Sequence, residues 1–79
     1  MEAMPPIQNL AEKLIAARGM DYARTKSTLK YYVEHMSDLK FLEEMSRVTN
    51  PDIFRYLWSI GLTRKQQEIA TMRWEELTE

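Results

Sequence analysis

The sequence predicts an all-α protein, a small bundle of four to five short helices. Three observations predict it. Apolar residues recur at helical spacing along most of the chain, helix-start signals precede these segments, and no run alternates apolar and polar residues with the period of two that a strand requires. No Asn-Gly or Asp-Gly hairpin signal and no internal repeat occurs. The 79 residues form one helical domain, 1–79, with residues 1–5 as a flexible N-terminus. A domain of this size buries only about 60% of the surface its unfolded chain exposes, so its core has to be efficient.

The first helix is predicted over about residues 6–18. Ile7, Leu10, Ala11, Leu14 and Ile15 line one face, Pro6 suits a first-turn position that needs no N–H, and Arg18-Gly19 supplies a cation and a flexible exit. A second, over about 22–36, starts from Asp21 as cap and keeps Tyr22, Leu29, Tyr32, Val33 and Met36 in period, with Thr25 filling the gap. Ser37-Asp38 offers a fresh cap, after which Leu39, Leu42, Met45 and Val48 step in threes down another face, flanked by Phe41. This pattern is compatible with two separate helices and with one bent rod.

Thr49-Asn50-Pro51 marks a boundary: Asn50 is a favoured N-cap, Pro51 is pre-set for the first helical position, and Asp52 places negative charge at the positive end of the helix dipole. A short apolar helix with Ile53, Phe54, Leu57, Trp58 and Ile60 follows, ended by Gly61. Thr63 and Gln66 fit a capping box for the last helix, about 64–77. Leu62 is placed to staple that start against Gln67 or Ile69, and Ile69, Ala70, Trp74 and Leu77 are expected on the packed side, with Met72 nearby.

Composition narrows the function. There is no cysteine, which removes disulfides, thiolate metal sites and a cysteine nucleophile, and fits a cytoplasmic protein. No apolar run approaches the ~18 residues of a membrane span, and Met1-Glu2-Ala3-Met4-Pro5-Pro6 lacks the features of a secretory signal. With 11 Lys plus Arg against 12 Asp plus Glu, the net charge of −1 gives no general attraction to phosphate backbones.

A catalytic centre needs convergent titratable or nucleophilic groups. His35, the single histidine, could lie near Glu34 and Asp38, but a solvated helix end is the expected reading. Neighbours in the pairs Glu43-Glu44 and Glu75-Glu76 diverge around a helix and are expected on solvated faces. Ser27, Ser37, Ser46 and Ser59 have no nucleophile-elbow context, and no Gly-rich loop could cradle phosphate. The expectation is a protein with no catalytic residues, no metal and no cofactor.

Two Trp, four Tyr, two Phe and six Met are a large apolar allowance for so short a chain. Most belong to a core, but aromatics, Met and Arg are also the types enriched at interface centres. Tyr31, Tyr56 and Trp58 cannot all point inward beside Tyr32, Phe54 and Leu57, so at least one is expected at the surface. Tyr31, Tyr56, Trp58 and Trp74 are the candidate partner-binding residues. Among the basic residues, Arg18, Arg24, Lys26 and Lys30 lie within about two helical turns, and Arg64, Lys65 and Arg73 decorate the last helix. Arg24, Lys26, Lys30, Arg64, Lys65 and Arg73 are candidate contacts to a nucleic-acid backbone.

Leu62-Thr63, Arg64-Lys65, Glu68-Ile69, Met72-Arg73-Trp74 and Glu75-Glu76-Leu77-Thr78-Glu79 together resemble the opening of the fourth conserved region of bacterial sigma factors and related phage regulators. The resemblance covers about 18 of the 79 residues. In that family this helix is the first of a tetrahelical DNA-binding unit, and the helix that enters the major groove comes later. The sequence ends at Glu79, before any match to that recognition helix. A longer reading frame would reverse the ranking of the readings that follow. The resemblance implies a small bacterial or phage protein in transcriptional regulation, acting through contacts with a protein partner such as the transcription machinery. Arg64, Lys65 and Arg73 match basic positions of the family and would serve in backbone contact only. Direct DNA binding through basic helix faces is the alternative reading, and a structural homodimer a second one.

Overall fold

Helical boundaries in the computed structural model, which describes residues 5–79, follow local chemistry closely. Of the expected flexible segment 1–5, all but Pro5 lies outside the described residues. Pro5 itself is buried, and its carbonyl accepts from the N–H groups of Gln8 and Asn9 at 3.0 and 3.1 Å. Helix α1 spans Pro6–Ala16. It stops two residues earlier than the sequence predicts, because Ala17 is already extended (φ −76°, ψ 153°) and Gly19 is used for the next start instead of this exit. Gly19 takes φ +57°, a region that its missing Cβ makes accessible, and opens α2, Met20–Glu34. Asp21 therefore lies inside the first turn and is not the cap.

Helices two and three are separate. His35 and Met36 break the chain, and the Ser37 hydroxyl accepts from the Lys40 N–H at 3.1 Å to begin α3, Asp38–Arg47. Asn50 caps as predicted, its side chain accepting from the Asp52 N–H at 3.0 Å. The turn it starts is 3₁₀ over Pro51–Ile53 before the chain relaxes into the short α4, Phe54–Ser59. Gly61, at φ +87°, turns the chain out of α4. The capping box then opens α5, Arg64–Thr78, with the Gln66 N–H on Thr63 Oγ1 at 3.2 Å and the Thr63 N–H on Gln66 Oε1 at 3.0 Å.

Among the described residues the chain is all-α, with five α-helices and no strand. α1 packs chiefly along α2 and α3 along α5, while the 3₁₀ turn and α4 touch both α1 and α5 and bridge the two pairs. Ile7, Ala11, Leu14, Leu29, Phe41, Met45, Ile53, Phe54 and Leu57 meet in one fully buried core.

The buried face of α3 is not the one predicted. Leu39 and Leu42 are 79% and 51% exposed, whereas Phe41, Glu44, Met45 and Val48 are buried. The true face is turned by roughly 80° about the helix axis, at 100° per residue. Glu44, expected on a solvated face, is 1% exposed, while its neighbour Glu43 is exposed. The physical reason lies at the start of α1. Pro6 brings no N–H, Gln8 and Asn9 bond the Pro5 carbonyl, and the remaining donor, Ile7 N–H, reaches Glu44 Oε1 at 3.1 Å. A carboxylate from α3 thus caps α1, where the positive end of the helix dipole favours negative charge. Its other oxygen accepts from the Tyr32 hydroxyl and has Lys40 Nζ at 3.9 Å.

The same device recurs. Gln66 Nε2 donates to the Val33 carbonyl near the end of α2 at 3.2 Å, and Gln8 Oε1 accepts from the Thr49 N–H after α3 at 2.9 Å. Arg73, a candidate nucleic-acid backbone contact by sequence, has only 21% of its side chain exposed. It holds the Val48 carbonyl at the end of α3 through Nε at 3.1 Å and Nη2 at 2.7 Å. Several backbone groups near helix ends are thus met by side chains from other helices, and no buried side-chain polar atom among the described residues lacks a partner.

α5 buries Ile69 and Ala70 as expected, together with Gln66. Trp74 and Leu77, expected on the packed side, are only partly covered: Trp74 is 38% exposed, and Leu77 is half-buried against the core.

Candidate protein-interaction site

Three of the four predicted partner-binding residues meet in one place. Tyr56 and Trp58 on α4 and Trp74 on α5 line an open cleft of about 390 Å³, completed by Ile15 at the end of α1, Pro51 and Asp52 of the 3₁₀ turn, and Arg55. α4 is only six residues long, so its two largest inward side chains, Phe54 and Leu57, use up the buried side, leaving Trp58 at the border. Trp58 sits between Phe54 and Trp74, each ring centroid 6.1 Å away, and meets Trp74 edge to face at 64°. The two indoles are 40% and 38% exposed, so each has one side packed and one side open to solvent.

Asp52 and Arg55 are one turn apart on the rim. The side chain of neither forms an ion pair or hydrogen bond among the described residues. The site therefore combines rigid aromatic surface with two uncommitted charges of opposite sign. Trp, Tyr and Arg are the side chains that most often carry binding energy at interface centres.

Tyr31 does not join this group. It is 65% exposed on α2 and stacks on His35 at 3.9 Å, beside a separate open cleft with Leu10, Tyr32, Met36 and Lys40. His35 Nδ1 lies 2.9 Å from the Tyr31 carbonyl, and no group of three His, Asp or Glu side chains among the described residues is placed to hold a metal ion.

The candidate nucleic-acid contacts are divided. Lys30 pairs with Glu34 at 4.0 Å and Arg64 with Glu68 at 3.8 Å, both exposed. Arg73 is spent on Val48 and has Glu76 at 3.7 Å, whereas Arg24, Lys26 and Lys65 have no ion pair among the described residues.

Comparison with protein-family models, with curated proteins and with solved structures gives no match for this chain. The site has to be read from its own geometry. From the sequence Ile15, Pro51 and Asp52 were read only as helix-forming residues and Arg55 not at all, although Asp52, Arg55 and Trp58 fall three apart after the Asn50-Pro51 start, a spacing that puts them along one helix side.

The most strongly shifted titratable group lies elsewhere. Tyr32 is pushed up to about 12, first by burial, then by its hydrogen bond to Glu44 and by the charge of that carboxylate. That cluster closes on the protein's own groups, Ile7, Tyr32 and Lys40, and serves to join α1, α2 and α3. No helix among the described residues is long and apolar enough to cross a membrane.

Proposed function

We propose that the chain is a non-enzymatic helical interaction module that receives a protein partner in the cleft between α1, α4 and α5. The observation that carries this reading is the Trp58–Trp74 pair, held edge to face and left open beside unpaired Asp52 and Arg55. A fitting partner segment offers an apolar side chain to the indoles, a carboxylate to Arg55 and a cation to Asp52. Such a segment would exploit aromatic area that is already ordered, so little conformational entropy is lost on binding.

The setting we propose for this module is transcriptional regulation in a bacterium or phage, in the cytoplasm. This part rests on the likeness of residues 62–79 to the opening helix of the sigma-factor fourth region. Protein contact is favoured over DNA contact because Arg73, one of the three basic positions carried by that likeness, is committed to Val48.

The test is capture from bacterial extract with the intact chain, compared with Trp58→Ala and with Arg55→Glu. A partner retained by the unaltered chain and lost by both variants supports the cleft, and recovery of RNA polymerase, a sigma factor or a repressor supports the setting. Equal capture by all three chains would defeat the cleft reading, and absence of any transcription component would defeat the setting.

A further inference from the structure

Away from the aromatic cleft, the groove between α3 and α5 is flanked by large exposed apolar side chains that the core leaves unused. Leu42 and Met72 stand on its two sides, Met45 and Ile69 are on its walls, and Leu39 extends the surface one turn back along α3. Leu39, Leu42 and Met72 are 79%, 51% and 67% exposed, and none of the three takes part in the cleft or the core. A cluster of large apolar residues in this state marks an interaction surface.

The charges along α5 say what covers it. Lys65 lies seven residues, two helical turns, before Met72 on α5, and Glu79 seven residues after it, at the cap position just past Thr78, so the three follow one stripe in helical register. Both ends of the stripe are exposed, and neither Lys65 nor Glu79 has an ion pair among the described residues. If two such stripes pack antiparallel about Met72, Lys65 of each copy meets Glu79 of the other. Glu68 then faces Glu76, but each already has a cation on its own helix, Arg64 at 3.8 Å and Arg73 at 3.7 Å. A parallel pairing would instead put Lys65 against Lys65 and Glu79 against Glu79. The pattern is therefore self-complementary in one orientation only, as a two-fold interface requires.

We infer that the α3/α5 face is the seam of an antiparallel homodimer, in which Leu39, Leu42 and Met72 of one copy cover the same residues of the other. The inference does not rest on the aromatic cleft. It leaves that cleft open in both copies, so the assembled form would present two partner sites.

Sedimentation equilibrium of the intact chain over roughly 1 μM to 1 mM, the range in which small interfaces associate, tests it. A concentration-dependent monomer–dimer equilibrium is expected. The double variant Leu42→Asp/Met72→Asp should weaken it on the order of 100-fold or more, while circular dichroism keeps its helical signal because both positions are exposed. Lys65→Glu should weaken it roughly 2- to 30-fold through two symmetric pairs, and adding Glu79→Lys should restore it. A strict monomer over the whole range overturns the inference. So does a dimer that survives Leu42→Asp/Met72→Asp but is lost with Trp58→Ala, which would move the seam to the cleft. Failure of Glu79→Lys to rescue Lys65→Glu overturns the antiparallel arrangement.

Discussion

The inner and outer faces of α3 invert the usual assignment of side chains. The inner face buries a glutamate, Glu44, among Phe41, Met45 and Val48, while the outer face leaves Leu39 and Leu42 in solvent. A leucine on the inner face would bury more apolar area, yet it could not meet the Ile7 N–H that α1 leaves without a partner. In a bundle this small, five helices have many ends and little interior, so satisfying backbone groups near those ends competes with burying hydrocarbon. On the inner face of α3 the backbone groups win. The outer leucines are then free to serve another surface.

The largest expected effect on this contrast comes from Glu44→Ala. It orphans the Ile7 N–H and the Tyr32 hydroxyl together and should cost roughly 3 kcal/mol, a large share of the stability of a domain this size. Urea unfolding checks the loss. Next comes Arg73→Met, which keeps most of the apolar stem but frees the Val48 carbonyl; a loss of about 1 to 2 kcal/mol is expected in the same assay. Replacing Gln66 by Ala removes half of the capping box and the bond to Val33 and should cost a similar amount, about 1 to 2 kcal/mol.

Tyr32→Phe sharpens the comparison through pH. The folded state holds the Tyr32 phenol neutral, at about 12 against 10.0 for the free group. Its contribution is fully present below pH 10 and is lost as pH rises through 12. Unfolding measured across that window should show a steeper fall in stability for the unaltered chain than for Tyr32→Phe. The smallest effect belongs to the outer face: Leu39→Ala, measured at concentrations where the chain is monomeric, should stay within about 0.5 kcal/mol. A loss from Leu39→Ala equal to that from Glu44→Ala would break the contrast.

Much of the fold was legible because helix starts are written locally. Ser37, Asn50 and Thr63 with Gln66 act through groups two or three residues away and Gly61 through its own positive φ, and the structure uses each as the sequence suggests. Glu44 was not legible, since its reason for being buried is an N–H 37 positions away on another helix. The same holds for Arg73, whose partner Val48 lies 25 positions back. Reading leucine as inside and glutamate as outside turned the face of α3, because period alone fixes how often a side returns, not which side is wanted. At the cleft, aromatic type pointed to Tyr56, Trp58 and Trp74, while Asp52 was read only as a helix-dipole charge and Arg55 not at all, because unpaired charges look like any solvated pair until their neighbours are placed. Tyr31 shares the residue type but sits on a different helix pair.

Hydrogen exchange at the Ile7 amide tests the central claim most directly. The second residue of a helix ordinarily has no intrahelical acceptor and exchanges quickly. If the Glu44 carboxylate caps α1 from inside the core, Ile7 exchanges slowly in the unaltered chain and becomes fast in Glu44→Ala. Fast exchange in the unaltered chain, or equal protection in both, would contradict the account.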